Sequence, residues 1–161
     1  VIRDFAPRIR LLVLDADGVL TDGRLWFGPG GESLKVFHVR DGVGIRQLQG
    51  AGVPVAVISG RVSAALERRC TELGIRHLRQ GADNKVAALR ELLAETGGSP
   101  EACACVVDDT PDLPLMAIVG LPIAVADAHP DVIAAARYVT RAAGGTGAVR
   151  EVCDLLLEAR V

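Results

Sequence analysis

Ile9-Arg10-Leu11-Leu12-Val13-Leu14-Asp15-Ala16-Asp17-Gly18-Val19-Leu20-Thr21-Asp22-Gly23 sets a short aliphatic run directly against a cluster of acids. Residues 9–14 read as a strand buried on both faces, because an aliphatic run this short suits a strand better than a helix. The same kind of run recurs at 54–58, 76–78, 102–107, 122–125 and 138–140. Segments of helical period lie between and after them, at 43–49, 62–73, 85–95, 113–119, 130–136 and 148–159. Strands buried on both faces and alternating with helices predict an α/β domain with a parallel sheet in three layers. One stretch breaks the alternation. Residues 23–41 carry two short strands around Gly28-Pro29-Gly30-Gly31, a β-hairpin flap where a helix would ordinarily follow the first strand.

The chain has 161 residues and is 50% hydrophobic but only 3% aromatic. That length suffices for one domain, 1–161, burying roughly 70% of the unfolded chain's surface without a disulfide or structural metal. A net charge of -2, with no clustered basic stretch, argues against nucleic acid as a partner. The longest apolar stretch, 115–126, is broken by Gly120 and Pro122 and falls short of the ~20 residues that span a bilayer. No signal-peptide core is expected at the N-terminus, and the four Cys form no CxxC pair, so a reducing cytoplasmic setting is expected.

Two counts are more pointed. Three of the five aromatics, Trp26, Phe27 and Phe37, fall in the flap, which a single domain has no core to cover. Of the 18 basic residues 16 are Arg, leaving Lys35 and Lys85 as the only lysines. Lys85 invites a functional reading; chance on a solvated face accounts equally well for Lys35.

In a parallel α/β sheet ligands bind at the carboxyl ends of the strands. Asp15, Asp17, Thr21 and Asp22 follow the first strand, Ser59-Gly60-Arg61 the second, and Asp108, Asp109 and Asp112 the fourth, while Lys85 opens the helix before that fourth strand. Carboxylates converging on one rim repel one another unless a hard cation sits among them, which is the oxygen chemistry of Mg²⁺. A lysine, a hydroxyl and backbone N–H groups beside them suit a phosphate. Asp15 then reads as a nucleophile toward phosphorus, Asp17 as acid and base, and Lys85 as a stabiliser of phosphoryl charge.

In order, Asp15-Ala16-Asp17-Gly18-Val19-Leu20-Thr21-Asp22-Gly23, Ser59-Gly60-Arg61, Lys85 and Asp108-Asp109-Thr110-Pro111-Asp112 resemble the four motifs of the haloacid dehalogenase superfamily of phosphatases. Nearly the whole chain resembles its 3-deoxy-D-manno-octulosonate 8-phosphate phosphatase branch, through His38-Val39-Arg40-Asp41-Gly42, Asp83-Asn84-Lys85, 124–130, 138–141 and 144–151. The resemblance implies a Rossmann-like sheet with the hairpin in place of a cap domain, and Mg²⁺ held by Asp15, the Asp17 main-chain carbonyl and Asp108, with Asp109 and Asp112 in support. It also implies a homotetramer built through the flaps and a role in lipopolysaccharide biosynthesis. Ser59, Gly60, Arg61, Arg40 and Asn84 are the candidate phosphate- and substrate-binding residues. Val107 stands where the family usually has Gly, and Thr146 where the branch often has Arg, a carboxylate partner.

Asp127 is expected to cap the helix that starts at Pro130. Three other functions stay in view: a phosphatase for a nine-carbon nonulosonate or N-acylneuraminate 9-phosphate, a non-catalytic assembly module, and a phospho-receiver domain. A receiver carries its acceptor Asp after the third strand and its lysine late in the chain. Here Lys85 precedes the second acidic cluster.

Overall fold

A computed structural model of the protein describes residues 2–160. Among the described residues eight strands run in chain order as β1 Leu11–Leu14, β2 Trp26–Gly28, β3 Gly31–Leu34, β4 Val55–Ile58, β5 His77–Arg79, β6 Cys103–Val107, β7 Leu121–Ala124 and β8 Tyr138–Val139. The α-helices are α1 Ile2–Phe5, α2 Val39–Gly50, α3 Ala64–Glu72, α4 Lys85–Thr96, α5 Leu113–Met116, α6 Pro130–Ala135 and α7 Ala148–Glu158. Six strands form one parallel sheet in the order β5-β4-β1-β6-β7-β8. The chain lays β4 and β5 on one side of β1, then crosses to lay β6, β7 and β8 on the other. The order therefore reverses beside β1, which opens a crevice at its carboxyl end.

Every residue of β1, β4, β6 and β7 is buried, which is why these runs show no polar alternation. α2 packs on α7, and α4, α5 and α6 pack in succession, so helices flank the sheet in two groups. Cys70, Cys103, Cys105 and Cys153 are free thiols within the core. No helix among the described residues is long and apolar enough to cross a membrane.

Several expected boundaries move. The paired strands of the flap span only 26–34, with Phe27 opposite Glu32, rather than filling 23–41. Val39, Arg40 and Asp41 already belong to α2, because the His38 side chain accepts a hydrogen bond from the Arg40 N–H and caps that helix. Phe37 packs against the core beneath the Arg69 guanidinium, so it does not share the exposure of Trp26 and Phe27, which stand 52% and 68% exposed. Asp127 does not cap α6. His129 does, accepting from the Asp131 N–H, and Asp127 Oδ1 instead accepts from the Gly144 N–H at 2.9 Å.

Candidate active site

The loop after β1 is wound tightly at its start. The Ala16 carbonyl accepts from the N–H groups of Val19, Leu20 and Thr21, and the buried Thr21 hydroxyl oxygen accepts from Gly18 and Gly23. Gly18 takes φ +87°, in the left-handed region, and a Cβ there would lie 1.9 Å from Asp108 Oδ2. Glycine thus lets the loop approach the end of β6. Behind it, the Gly145 N–H bonds Val19 O while Asp127 holds Gly144, so the glycine-rich segment before α7 braces the same loop. Glu151 secures that segment from α7, accepting from the Arg141 and Ala142 N–H groups and the Tyr138 hydroxyl.

A cavity of about 470 Å³ opens at the strand ends, lined among others by Asp15, Asp17, Ser59, Gly60, Arg61, Lys85, Asp108, Asp109 and Asp112. Lys85 Nζ lies 2.8 Å from Asp15 Oδ1 and 2.8 Å from Asp112 Oδ1. The second contact is an ion pair without hydrogen-bond alignment, which leaves Asp112 Oδ1 buried and accepting none. Burial alone would pull the Lys85 amine down, but the charges of Asp15 and Asp112 outweigh it and hold its pKa above the ordinary lysine value. Asp108 and Asp112 are both pushed well above the usual carboxylate range, first by burial and then by the charge of Asp15.

Asp15, Asp108 and Asp112 bring carboxylate oxygens within 4.8 Å of one another. One ammonium against three crowded carboxylates leaves negative charge uncompensated, and an all-oxygen donor set is that of a hard divalent cation. The residues therefore fit Mg²⁺. Asp112, expected as outer support, is part of this cluster. Asp109 is exposed, and its Oδ1 accepts from the Thr110 N–H at 2.7 Å.

Ser59 is buried, and its Oγ accepts from the Arg61 N–H. Two expected residues stand off the cavity. Asn84 spends its side-chain oxygen capping α4 through the Ala87 N–H. Arg40 sits exposed in the first turn of α2 and is not among the lining residues of this chain's cavity. Thr146 donates its hydroxyl to Ala143 O, a local turn contact.

The sequence motifs do not mark Glu32, beside the turn of the flap, and Lys35, just past β3, as site residues. Lys35 Nζ lies 2.6 Å from Asp17 Oδ1 and 2.9 Å from Glu32 Oε1, and Arg61 Nη2 lies 2.9 Å from Glu32 Oε2. The only sequence signal for them is the rarity of lysine.

A family model described as haloacid dehalogenase-like hydrolase matches residues 77–151. The chain is 56% identical over 155 residues to the 3-deoxy-D-manno-octulosonate 8-phosphate phosphatase KdsC of Escherichia coli K12, covering 96% of this chain and 82% of that one. A crystal structure of the 3-deoxy-D-manno-octulosonate 8-phosphate phosphatase from Yersinia pestis superimposes with a TM-score of 0.96 at 52% identity, covering 99% of this chain and 86% of its own. The Moraxella catarrhalis phosphatase of that name, in complex with a magnesium ion, a phosphate ion and a KDO molecule, gives 0.95 at 41% identity, covering 99% and 91%.

Proposed function

Since the chain belongs to the 3-deoxy-D-manno-octulosonate 8-phosphate phosphatase family of haloacid dehalogenase-like hydrolases, we propose that it hydrolyses 3-deoxy-D-manno-octulosonate 8-phosphate to the free sugar acid and inorganic phosphate with Mg²⁺. The observation that carries this reading is the Asp15, Asp108 and Asp112 cluster with Lys85 on its rim and Asp17 beside it. Mg²⁺ supplies Lewis-acid neutralisation of the negative charge brought together by the nucleophile and the phosphoryl group. Asp15, Asp108 and Asp112 would hold it, with the Asp17 main-chain carbonyl in support.

In the first step an Asp15 carboxylate oxygen attacks phosphorus, forming an acyl phosphate as the P–O bond to the sugar breaks. Protonated Asp17 passes its proton to the departing sugar oxygen. In the second step the Asp17 carboxylate takes a proton from water, the water oxygen attacks phosphorus, and the bond to Asp15 breaks to release phosphate. Lys85 keeps Asp15 oriented and faces the charge on the phosphoryl oxygens. Ser59, Gly60 and Arg61 line the same cavity, and to them we assign the donors for the phosphoryl oxygens.

Leu25, Trp26, Phe27, Leu34 and Val36 are exposed apolar residues on or beside the flap, and we assign them to contacts between four copies of the chain. The free, buried thiols accord with a cytoplasmic enzyme. The test is phosphate release from a panel of eight-carbon and nine-carbon sugar acid phosphates and hexose phosphates, with and without Mg²⁺. Mg²⁺-dependent turnover is expected, fastest on the eight-carbon acid, with Asp15→Asn folded but inactive. Equal turnover of hexose phosphates refutes the substrate, and an active Asp15→Asn refutes the mechanism.

A further inference from the structure

Two aspartates that line this cavity, and Asp127 outside it, are fixed by backbone donors. Asp15 Oδ1 accepts from the Ala16 N–H, Asp109 Oδ1 from Thr110, and Asp127 Oδ1 from Gly144. Asp17 differs. Among the described residues its carboxylate meets no backbone N–H: Lys35 Nζ lies 2.6 Å from Oδ1 and Arg61 Nε lies 3.8 Å from Oδ2. Both cations are tied to Glu32 on β3, Lys35 Nζ at 2.9 Å from Oε1 and Arg61 Nη2 at 2.9 Å from Oε2. The Lys35 side chain is only 3% exposed, so its ammonium has exchanged water for these two carboxylates. An exposed ion pair that merely pinned the flap would have no reason to carry that desolvation cost.

We propose that Lys35, held by Glu32, is a positioning residue for Asp17: the flap sets the place of the proton donor and acceptor of its own subunit's active site. This inference rests on the reading of Asp17 as acid and base. A carboxylate on a flexible stem, without a backbone donor, samples several rotamers. The short contact from a buried ammonium selects one of them, and a displacement of about 1 Å from productive geometry costs on the order of 100-fold in rate. The flap thereby acts on the chemistry.

The experiment compares kcat/KM for 3-deoxy-D-manno-octulosonate 8-phosphate and p-nitrophenyl phosphate in Lys35→Met, Lys35→Arg, Glu32→Gln, Asp17→Asn and the Asp17→Asn/Lys35→Met double variant. This ratio covers the steps up to cleavage of the ester bond, where a poor alkoxide leaving group needs a proton and p-nitrophenolate does not. Lys35→Met is expected to lose about 10- to 100-fold on the sugar acid ester and less than about 3-fold on the aryl ester. Lys35→Arg should recover most of the loss, and Glu32→Gln should show a smaller loss of the same selectivity, which keeps the test intact if Lys35→Met folds poorly. In the Asp17→Asn background Lys35→Met should cost nothing further. Equal losses on both esters, no loss, or a full additional loss in the double variant would overturn the positioning role. Full activity of Asp17→Asn on the sugar acid ester would instead overturn the role of Asp17, a separate result.

Discussion

Gly18→Ala probes the approach of the nucleophile loop to Asp108. An alanine Cβ at this position would lie 1.9 Å from Asp108 Oδ2, against the 3.4 Å where ordinary contact begins. Asp108 or the loop must therefore give way by about 1.5 Å, far more than the ~0.2 Å tolerance of a metal-ligand distance. The methyl group also meets the left-handed backbone at φ +87°, which costs about 1 to 2 kcal/mol in an L-residue. Gly97→Ala separates these effects. Gly97 ends α4 at φ +76°, and an alanine Cβ there would meet nothing within 4 Å, so this variant carries the backbone cost without the clash.

At this chain length each kcal/mol lowers the melting temperature by about 2 to 4 °C, so without metal Gly97→Ala should lose only the backbone cost and Gly18→Ala more, because it adds the clash. Mg²⁺ at about 100 times its dissociation constant stabilises by ~2.7 kcal/mol, a rise of about 5 to 10 °C in the parent. Gly97→Ala should keep that rise and the parent's activity. Gly18→Ala should lose most of the rise and on the order of 100-fold or more in kcat/KM. Differential scanning fluorimetry with and without Mg²⁺, beside a phosphate-release assay, reads both. A Gly18→Ala protein with normal turnover and a normal Mg²⁺ response would refute the reasoning.

Asp41 offers a test in pH. It is 2% exposed, its Oδ1 accepts from the Arg150 N–H at 2.9 Å, and its Oδ2 has no partner. Burial raises its pKa, so the folded state binds its proton more tightly than the unfolded state, and stability falls as pH climbs from about 4 through the folded value. Asp41→Asn keeps the acceptor and removes the charge. Thermal melts should show a flatter pH dependence and, at pH 8, a midpoint above the parent's; an unchanged slope would contradict the assignment. For the flap, Trp26→Ser/Phe27→Ser should lower the light-scattering mass from four chains toward one with unchanged circular dichroism. A parent already monomeric at micromolar concentration would remove the proposed assembly.

The sheet and most of the cavity were legible because both depend on local pattern. A strand buried on both faces cannot hide its composition, and the acids at its carboxyl end mark the rim, so Asp15, Ser59, Lys85 and Asp108 are found where the motifs put them. What escaped depends on which of several donors or acceptors wins a contest in space. His129 and Asp127 both precede α6, and only the position of Gly144 draws Asp127 away. Asn84 resembles a substrate ligand in sequence, yet the adjacent helix start claims its oxygen. Phe37 lies only three residues beyond β3, and the turn toward α2 folds it onto the core while Phe27 faces outward. Lys35 and Glu32 lie on an irregular hairpin, whose register shift between Trp26 and Phe27 defeats any count of alternating faces.

The placement of the two lysines bears on how this protein can be handled chemically. The Lys35 and Lys85 side chains are 3% and 13% exposed, each ammonium against two carboxylates, while the other 16 basic side chains are arginines. Succinimidyl esters, biotinylating agents and glutaraldehyde therefore find no freely accessible lysine on the outer surface. Acylation that does reach Lys85 enters through the cavity it lines and removes a charge there, so incorporation at Lys85 and loss of turnover should advance together.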